Sequence, residues 1–249
     1  MKYELLGPLR LVDCETHTIT APKMETLLAT LLIRANQPVS TGELINELWG
    51  DRPPRRARAA LHVYVSQLRK NFVRGDASIK THAQGYLMEI DDSTVDVFHL
   101  QRLHTAGRAV LEAEPESALA SLQAAARLYR GPVLAGIGDG LIVGAFARWA
   151  EEVRLECLEG IADCALRVGR HRELVGALSA WVNEYPLNET LREHLMLALH
   201  RSGRRAEALE AYHSARRVLQ EELGLDPRDT MRRLQLAILE ADTDYAIAS

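Results

Sequence analysis

The side chains most suited to chemistry form a basic segment between residues 52 and 82. This segment holds eight Lys and Arg residues against one acid, Asp76, so its local charge is +7 in a chain whose net charge is −4. The eight cations are Arg52, Arg55, Arg56, Arg58, Arg69, Lys70, Arg74 and Lys80. Such an excess in an acidic protein favours contact with a polyanion, usually the phosphates of nucleic acid. A solvated surface helix is the alternative when the segment is taken alone.

Residues 55–72 have the periodicity of an amphipathic helix. At 100° per residue one narrow face carries Leu61, Val65, Leu68 and Phe72, and the opposite face carries Ala59, Val63, Ser66, Gln67 and Lys70. The first turn holds Arg55, Arg56 and Arg58, although cations oppose the helix dipole at that end. An anion near this turn would explain them. The pattern therefore predicts a helix that packs on a small core and presents its other face to the major groove of DNA.

Two core helices are predicted ahead of the basic helix. Between residues 23 and 35 apolar side chains recur at i, i+3, i+4, i+7 and i+8, as in a helix with one buried face. Further on, Ser40 stands three residues before Glu43 in a capping-box pattern, and Gly50 ends the helix that follows. Residues 51–54 form a proline-stiffened loop into the basic helix.

Short strands are expected on both sides of these helices. They are placed over residues 3–11, around Ile19, and over residues 79–90, where a hairpin turns at residues 83–85. Strands, two core helices, a loop, a basic helix and a hairpin follow one another in the order of a winged helix-turn-helix domain. In that fold the last helix enters the major groove and the hairpin, or wing, reaches the neighbouring backbone or minor groove.

The chain is expected to contain two domains. Asp91, Asp92 and Ser93 interrupt the strand pattern, and the charge changes sign there: residues 1–92 hold 12 basic and 11 acidic residues, and the rest hold 18 and 23. The first domain is therefore placed at 1–92 and the second at 93–249. A chain of 249 residues with 47% hydrophobic and 26% charged residues is long enough for both to bury a core.

The second domain is predicted to be an all-α array of helix pairs. RVGRHRE at 167–173 and RSGRRAE at 201–207 align without gaps at a separation of 34 residues, the period of tetratricopeptide pairs. A second alignment matches Ala208, Leu209, Tyr212 and Ala215 with Ala118, Leu119, Leu122 and Ala125, which predicts an earlier pair. Long helices are expected over 145–168 and 227–241. The predicted fold is thus mainly α, an α+β winged helix followed by a tetratricopeptide-like domain.

No motif for catalysis, a metal or a cofactor stands out. The alternating glycines at 136–144 predict a flexible connector, because a helix precedes them and no G-x-x-x-x-G-K-[ST] follows. Cys157 and Cys164 lie seven residues apart and are expected to be buried thiols. We therefore expect no enzyme, no cofactor and no metal. The lack of a signal peptide and of an apolar run of roughly 18 residues predicts a cytoplasmic protein that does not contact membranes.

Motifs spread over nearly the whole chain resemble one family. They are LLGPLRL at 5–11, ELWGDRPP at 47–54, YVSQLRK at 64–70, GYLM at 85–88, LYRGPVLA at 128–135, the long stretch from LREHLML to GLDP at 191–227, and an acidic close after Leu239. Together they resemble the SARP family, the Streptomyces antibiotic regulatory proteins. The resemblance implies an OmpR-type winged-helix domain joined to a bacterial transcriptional activator domain, in a small member without the ATPase and sensor extensions of larger ones.

The resemblance also implies a function. Such proteins activate genes of antibiotic and other secondary-metabolite biosynthesis, bind direct repeats near the −35 region of promoters and recruit RNA polymerase through the sigma factor and other subunits. By position, the loop through which related activators touch polymerase corresponds to Trp49, Gly50, Asp51, Arg52, Pro53 and Pro54. His82 stands where the wing of the family often carries Arg. Because direct repeats place two protomers head to tail, we expect a monomer in solution that pairs on DNA.

Each candidate contact residue is given a role. Phosphates would be held by Arg56, Arg69, Lys70 and Arg74; base edges would be met by Gln67, Ser66 and His62, and a thymine methyl by Val63. Arg55, Arg58, Lys80, Thr81 and His82 complete the expected DNA-binding set. Two alternatives stay open, a helical-repeat adaptor that docks protein without reading DNA, and an enzyme. The +7 segment argues against the adaptor, because a protein-docking winged helix does not need so many arginines on one helix.

Overall fold

The computed structural model describes residues 1–71, 77–138 and 140–240. Within these residues the chain forms ten α-helices and six β-strands, which confirms the mainly helical fold class. The chain divides into two compact units, the first made of Met1–Thr105 and Ala124–Leu155, the second of Ala106–Gln123 and the chain from Glu156 onward. The domain boundary after residue 92 stays a prediction. Residue 92 falls inside the first compact unit, because Asp96 and Arg130, which follow it, bond to Leu5 and Leu6.

The first sheet is small and antiparallel. Its strands β1 (Lys2–Glu4), β2 (Arg10–Val12) and β3 (Thr16–His17) are hydrogen-bonded in that order. The strand expected around Ile19 is therefore shifted: His17 is the residue that pairs with Leu11, and Ile19 lies buried outside the strand. Apolar burial, rather than strand pairing, explains why Ile19 is hydrophobic.

The first sheet is held by residues that follow position 92. Helix α4 (Asp96–Ala109) begins with a carboxylate that accepts the backbone N–H groups of Leu5 and Leu6 at 2.8–3.0 Å. Burial raises the pKa of Asp96, while these N–H groups and the charge of Arg130 oppose that effect. The backbone N–H of Arg130 donates to the Leu6 carbonyl oxygen at 2.8 Å. The first unit therefore extends well past the hairpin.

Three helices build the core of the winged helix. α1 (Pro22–Ile33), α2 (Thr41–Trp49) and α3 (Ala57–Asn71) pack on one another. Their buried side chains include Leu27, Leu28, Leu31, Leu44, Leu48, Leu61, Val65 and Leu68. The capping box at the start of α2 is confirmed: the Ser40 hydroxyl accepts the Glu43 N–H at 3.2 Å, and the Glu43 carboxylate accepts the Ser40 N–H at 3.0 Å.

A second antiparallel sheet contains the predicted hairpin. Its strands are β4 (Pro38–Ser40), β5 (Ser78–His82) and β6 (Gly85–Glu89), in the order β4-β6-β5. The hairpin is confirmed, whereas β4 was not predicted. A Cβ on Gly85 would lie 2.0 Å from the Val39 carbonyl oxygen, so the approach of β4 to β6 requires glycine there. A 3-10 turn at Asp92–Thr94 follows β6, where the strand pattern ends.

The remaining helices carry the predicted repeat. They are α5 (Pro115–Ala126), α6 (Leu141–Arg167), α7 (His171–Glu184), α8 (Glu189–Arg201), α9 (Arg205–Leu223) and α10 (Asp229–Glu240). Gly169 after α6 and Gly203 after α8 both have φ +78°, so the 34-residue period repeats a left-handed helix end. α7 packs on α8 and α8 on α9. No helix in the described part of the chain is long and apolar enough to cross a membrane.

Candidate nucleic-acid interface

Helix α3 buries one face and exposes the other. Leu61, Val65 and Leu68 are buried as predicted, and Phe72 lies outside the described residues. The exposed face carries Ala59, Val63, Ser66, Gln67 and Lys70. Val63 is 53% exposed and is the largest apolar side chain on this face. The exposed face thus offers hydrogen-bonding groups around one apolar contact point.

The amino-terminal end of α3 is strongly cationic. The exposed cations of this region are Arg52, Arg55 and Arg56, which precede α3, and Arg58 in its first turn. Among the residues that the structure describes, none of these four has a carboxylate partner. The helix dipole adds further positive potential at this end, so the four guanidinium groups and the free N–H groups of the first turn together attract an anion. At the other end of α3 Lys70 is exposed as well. Arg74, which was assigned to a phosphate, lies outside the described residues.

Arg69 is held by the hairpin, although the sequence predicted a phosphate contact for it. Its Nε donates to the Ile79 carbonyl oxygen at 2.8 Å and its Nη2 to the Thr81 hydroxyl at 3.0 Å. Its guanidinium carbon lies 5.9 Å from the centre of the Tyr86 ring, within the range of a cation–π contact. Arg69 therefore links α3 to β5 and β6.

His62 is also tied to the hairpin. The Tyr86 hydroxyl lies 2.7 Å from His62 Nδ1, and the two rings meet edge to face with centroids 6.1 Å apart. Burial raises the pKa of Tyr86, opposed by the charge of Arg69, so the phenol keeps its proton. With a neutral imidazole the phenol donates to Nδ1 and the ring proton sits on Nε2. His62, predicted to meet a base edge, thus has only Nε2 to offer.

The predicted wing residues differ in their partners. Lys80 on β5 pairs with Glu89 on β6, and Thr81 accepts the hydrogen bond from Arg69. The Lys80–Glu89 pair is exposed and contributes little to stability, so a phosphate can replace the carboxylate at small cost. His82 ends β5 opposite Gly85, is exposed, and has no partner in the described part of the chain.

The segment assigned to polymerase contact is a surface loop between α2 and α3. Gly50, Asp51, Arg52, Pro53 and Pro54 are exposed. Trp49, the last residue of α2, stacks on Tyr64 of α3 with centroids 6.2 Å apart and planes at 26°. The Lys23 ammonium donates to the Leu48 carbonyl oxygen and so satisfies the carboxyl end of α2. The loop is therefore anchored at Trp49 and open to solvent beyond it.

Glu47 is the residue that sequence reasoning missed. Its side chain is buried, and its carboxylate accepts the N–H of Ile142 at 2.9 Å and of Val143 at 2.8 Å. It thereby caps the start of α6, where the N–H groups lack helical partners. A Cβ on Gly140 would lie 2.1 Å from Glu47 Oε1. The interpretation of residues 136–144 as a flexible connector is wrong from Gly140 onward, because this part enters α6 and is bonded to α2.

Two of the three cysteines are buried thiols. In the described ranges no group of three or more His, Cys, Asp or Glu residues is arranged to hold a metal ion. Cys157 and Cys164 are buried, as predicted, and Cys14 is exposed. Burial raises the pKa of Cys157 to about 12, so its thiol remains protonated at neutral pH. These two thiols act as apolar packing groups.

The geometry defines a class of protein, a winged helix with an exposed basic helix, followed in the chain by tetratricopeptide-like helix pairs. The family model described as "Transcriptional regulatory protein, C terminal" matches residues 16–88. The model described as "Bacterial transcriptional activator domain" matches residues 95–239, more than half of the chain. The chain belongs to the bacterial transcriptional activator domain family, in the group of regulators that includes the Streptomyces antibiotic regulatory proteins.

Named relatives align over nearly the whole chain. Regulatory protein AfsR of Streptomyces coelicolor is 39% identical over 99% of this chain and 25% of its own length. Transcriptional regulator RedD of the same species is 36% identical over 100% of this chain and 73% of its own. Regulatory protein DnrI of Streptomyces peucetius is 36% identical over 97% of this chain and 93% of its own. The chain thus spans about a quarter of AfsR and most of RedD and DnrI.

A solved structure has the same architecture. Mycobacterium tuberculosis EmbR, in complex with a low affinity phosphopeptide, superposes with a TM-score of 0.87 and 34% sequence identity. The match covers 96% of this chain and 65% of that chain. The order of winged helix and helix pairs is therefore shared with a mycobacterial transcriptional regulatory protein.

Proposed function

We propose that this chain is a sequence-specific DNA-binding transcriptional activator of secondary-metabolite biosynthesis genes, without enzymatic activity of its own. The observation that carries the proposal is the exposed face of α3, where hydrogen-bonding side chains lie between uncompensated cations at its two ends. Its relatives RedD, DnrI and AfsR are named as regulators. In this proposal the chain works in the cytoplasm, where promoter DNA and polymerase are present.

The proposed contacts follow from the geometry of α3. The helix enters the major groove with Gln67 and Ser66 towards base edges and Val63 towards a thymine methyl. Phosphates are held by Arg55, Arg56, Arg58 and Lys70, and by the wing at Lys80 and His82. His62 adds a donor through Nε2. Arg69 keeps its hydrogen bonds to the hairpin and positions the wing against α3.

The proposal extends to assembly on the promoter. Two protomers bind direct repeats near the −35 region, and the exposed loop from Trp49 to Pro54 touches RNA polymerase. Support for the loop comes from its exposure and from its place between two anchored helices. The resemblance to the SARP family supports the arrangement of the repeats and the sigma factor as a polymerase partner.

Lys70→Ala tests the phosphate contact. Removing one ammonium group should weaken binding to every duplex and lower the slope of log K against log salt by about 0.9, because one fewer counterion is released. The slope is measured by fluorescence anisotropy on a duplex that the protein itself selects from a random library. Lys2→Ala, an exposed lysine on β1, is the matched control and should leave the slope unchanged.

Gln67→Ala tests base reading on the same duplex. It should cost about 1–3 kcal/mol against the selected sequence, relax the preference at one position, and change binding to random DNA little. The salt slope should stay at the wild-type value. If Lys70→Ala and Gln67→Ala both bind selected and random DNA as the unaltered protein does, α3 is not the reading helix, and a protein-docking adaptor becomes the better interpretation.

A further inference from the structure

A cavity lies within the second unit, and none of the residues that line it belongs to α3. It has a volume of about 230 Å³, is partly open to solvent, and is lined by residues of α7, α8 and α9. Its apolar wall is formed by Val182, Leu195 and Ala211, and its polar wall by Ser179, Asn183, Arg192 and Ser214. No acidic side chain lines it. The cavity thus combines one cation and three neutral hydrogen-bonding groups with an apolar surface.

Arg192 is the unusual member of this cavity. It is only 5% exposed, and its Nε donates to the Pro186 carbonyl oxygen at 2.7 Å, which fixes the plane of the guanidinium group. Within the described residues no carboxylate pairs with it. Desolvation lowers the pKa of Arg192, and no neighbouring charge offsets that effect. A buried cation without a counter-ion is costly, so the site is electrostatically incomplete as it stands.

Neighbouring arginines show the opposite arrangement. Arg228 pairs with Glu193 at 2.7 Å, Arg204 with Glu207 at 2.6 Å, and Arg216 with Asp226 at 3.3 Å, all with substantial solvent exposure. Exposed cations gain little from such partners, whereas a buried cation needs one. Stability alone would favour either an apolar side chain at position 192 or a carboxylate beside the guanidinium group. The cavity lining contains the arginine without a carboxylate, and a counter-ion from outside the chain would account for this arrangement.

We propose that the α7–α9 cavity binds a carboxylate, carried by a small dicarboxylate or by an acidic side chain of a peptide. With Nε engaged by Pro186, the two Nη groups form the free edge that can hold a carboxylate in bidentate fashion. The amide of Asn183 and the hydroxyl of Ser214 can donate further hydrogen bonds to the oxygen atoms of the bound carboxylate. The volume is below the roughly 300 Å³ at which pockets for drug-sized ligands begin, so a group about the size of a glutamate side chain fits and a nucleotide does not.

The site is tested on the full chain with disodium succinate as the probe. Calorimetry should show saturable binding, and the melting temperature should rise with succinate but not with sodium chloride of equal ionic strength. Arg192→Met keeps the length of the side chain and removes the charge. This variant should fold with at least wild-type stability, because a desolvated cation is lost, and its succinate affinity should fall by about tenfold or more.

A second variant places a carboxylate from the chain itself in the cavity. Ser214→Glu should raise the melting temperature without succinate and weaken succinate binding by about tenfold or more, because its carboxylate occupies the cavity. The matched variant Ser214→Gln, equal in size but neutral, should not raise the melting temperature. Succinate effects that equal those of sodium chloride, or that persist unchanged in Arg192→Met and Ser214→Glu, would show that Arg192 has only a structural role.

A peptide arm distinguishes the two sources of the carboxylate. An acetylated, amidated Gly-Asp-Glu-Gly peptide is compared with Gly-Asn-Gln-Gly in the same calorimeter. Tighter binding of the acidic peptide than of succinate assigns the cavity to a protein partner, and the reverse assigns it to a free dicarboxylate. Failure of both probes overturns the carboxylate site and leaves the DNA-binding proposal untouched, since that proposal rests on α3.

Discussion

The cations in α3 and just before it differ in their contacts. Arg55, Arg56, Arg58 and Lys70 have no carboxylate partner in the part of the chain that the structure describes, so their charge is available to an incoming anion. Arg69, on the same helix, directs two donors at the hairpin. The planar fork of arginine suits two acceptors at once, which lysine cannot match with the same geometry. Arg69 is therefore a positioning residue for the wing.

Arg69→Ala should separate this role from direct phosphate contact. Loss of the two hydrogen bonds should speed amide hydrogen exchange in β5 and β6 and weaken DNA binding by about threefold to tenfold. The salt slope should change by much less than the value of about 0.9 expected for a lost phosphate contact. Exchange mass spectrometry and a salt titration provide the two readouts. A slope that falls as far as in Lys70→Ala would show that Arg69 itself holds a phosphate.

At the scale of elements, the amino-terminal end of α6 is capped by a carboxylate from α2. The Glu47 carboxylate on α2 accepts hydrogen bonds from two backbone N–H groups in the first turn of α6. Gly140 has no side chain, which leaves room for this carboxylate. Helix starts are usually satisfied by a side chain next to them in sequence. Here the partner lies 95 residues earlier, so the start of α6 depends on the fold of the winged helix.

Gly140→Ala should therefore be destabilising, because its Cβ would overlap the buried carboxylate. We expect a loss of about 1–3 kcal/mol in the free energy of unfolding, measured by urea denaturation followed by circular dichroism. Gly138→Ala is the control: nothing lies within 4 Å of the place that its added methyl group would take, so its effect should stay within about 0.5 kcal/mol. Equal midpoints for the two variants would contradict the tight approach of Glu47 to Gly140.

Local sequence patterns predicted most helices and strands, but they did not predict the hydrogen bonds between residues that are far apart in sequence. The apolar periodicity of α1 and α3, the capping box of α2 and the 34-residue period were all visible because each depends on neighbours in sequence. Strand β4 is only three residues long and begins with proline, so no local pattern marks it. Sequence also placed Arg69 and His62 on the surface of α3, but their bonds to the hairpin arise only when residues 10 and 24 positions later fold back.

On the scale of the whole molecule, charge is divided unevenly along the chain. Residues 1–92 carry 12 basic and 11 acidic residues, whereas the remainder carries 18 and 23. In the proposed complex, two copies bind the same DNA through their less acidic amino-terminal parts. Direct repeats would relate these copies by translation, so their contact would be heterologous and would not close into a two-fold dimer.

We expect one protomer in solution and two on a duplex with two direct repeats. Sedimentation velocity should give a mass near 27.8 kDa for the free chain. Addition of the duplex should produce a complex with two copies, and a duplex with one repeat scrambled should bind a single copy. A stable dimer in the absence of DNA would contradict the head-to-tail arrangement.

The hydrogen bonds accepted by Glu47 and Asp96 determine where the chain can be truncated for experiments. A truncated protein that stops at residue 92, where the net charge of the sequence changes sign, would lack Asp96. The backbone N–H groups of Leu5 and Leu6 would then lose the carboxylate that accepts their hydrogen bonds. The same truncation would also leave the buried Glu47 carboxylate without the amides of Ile142 and Val143. Truncation at Leu155 would retain both sets of bonds, but it would cut through α6 and separate residues 106–123 from the rest of the second unit, so the full chain is the better choice. Weak DNA binding by the shorter fragment would then report a damaged scaffold, and should not be taken as weak recognition by the intact regulator.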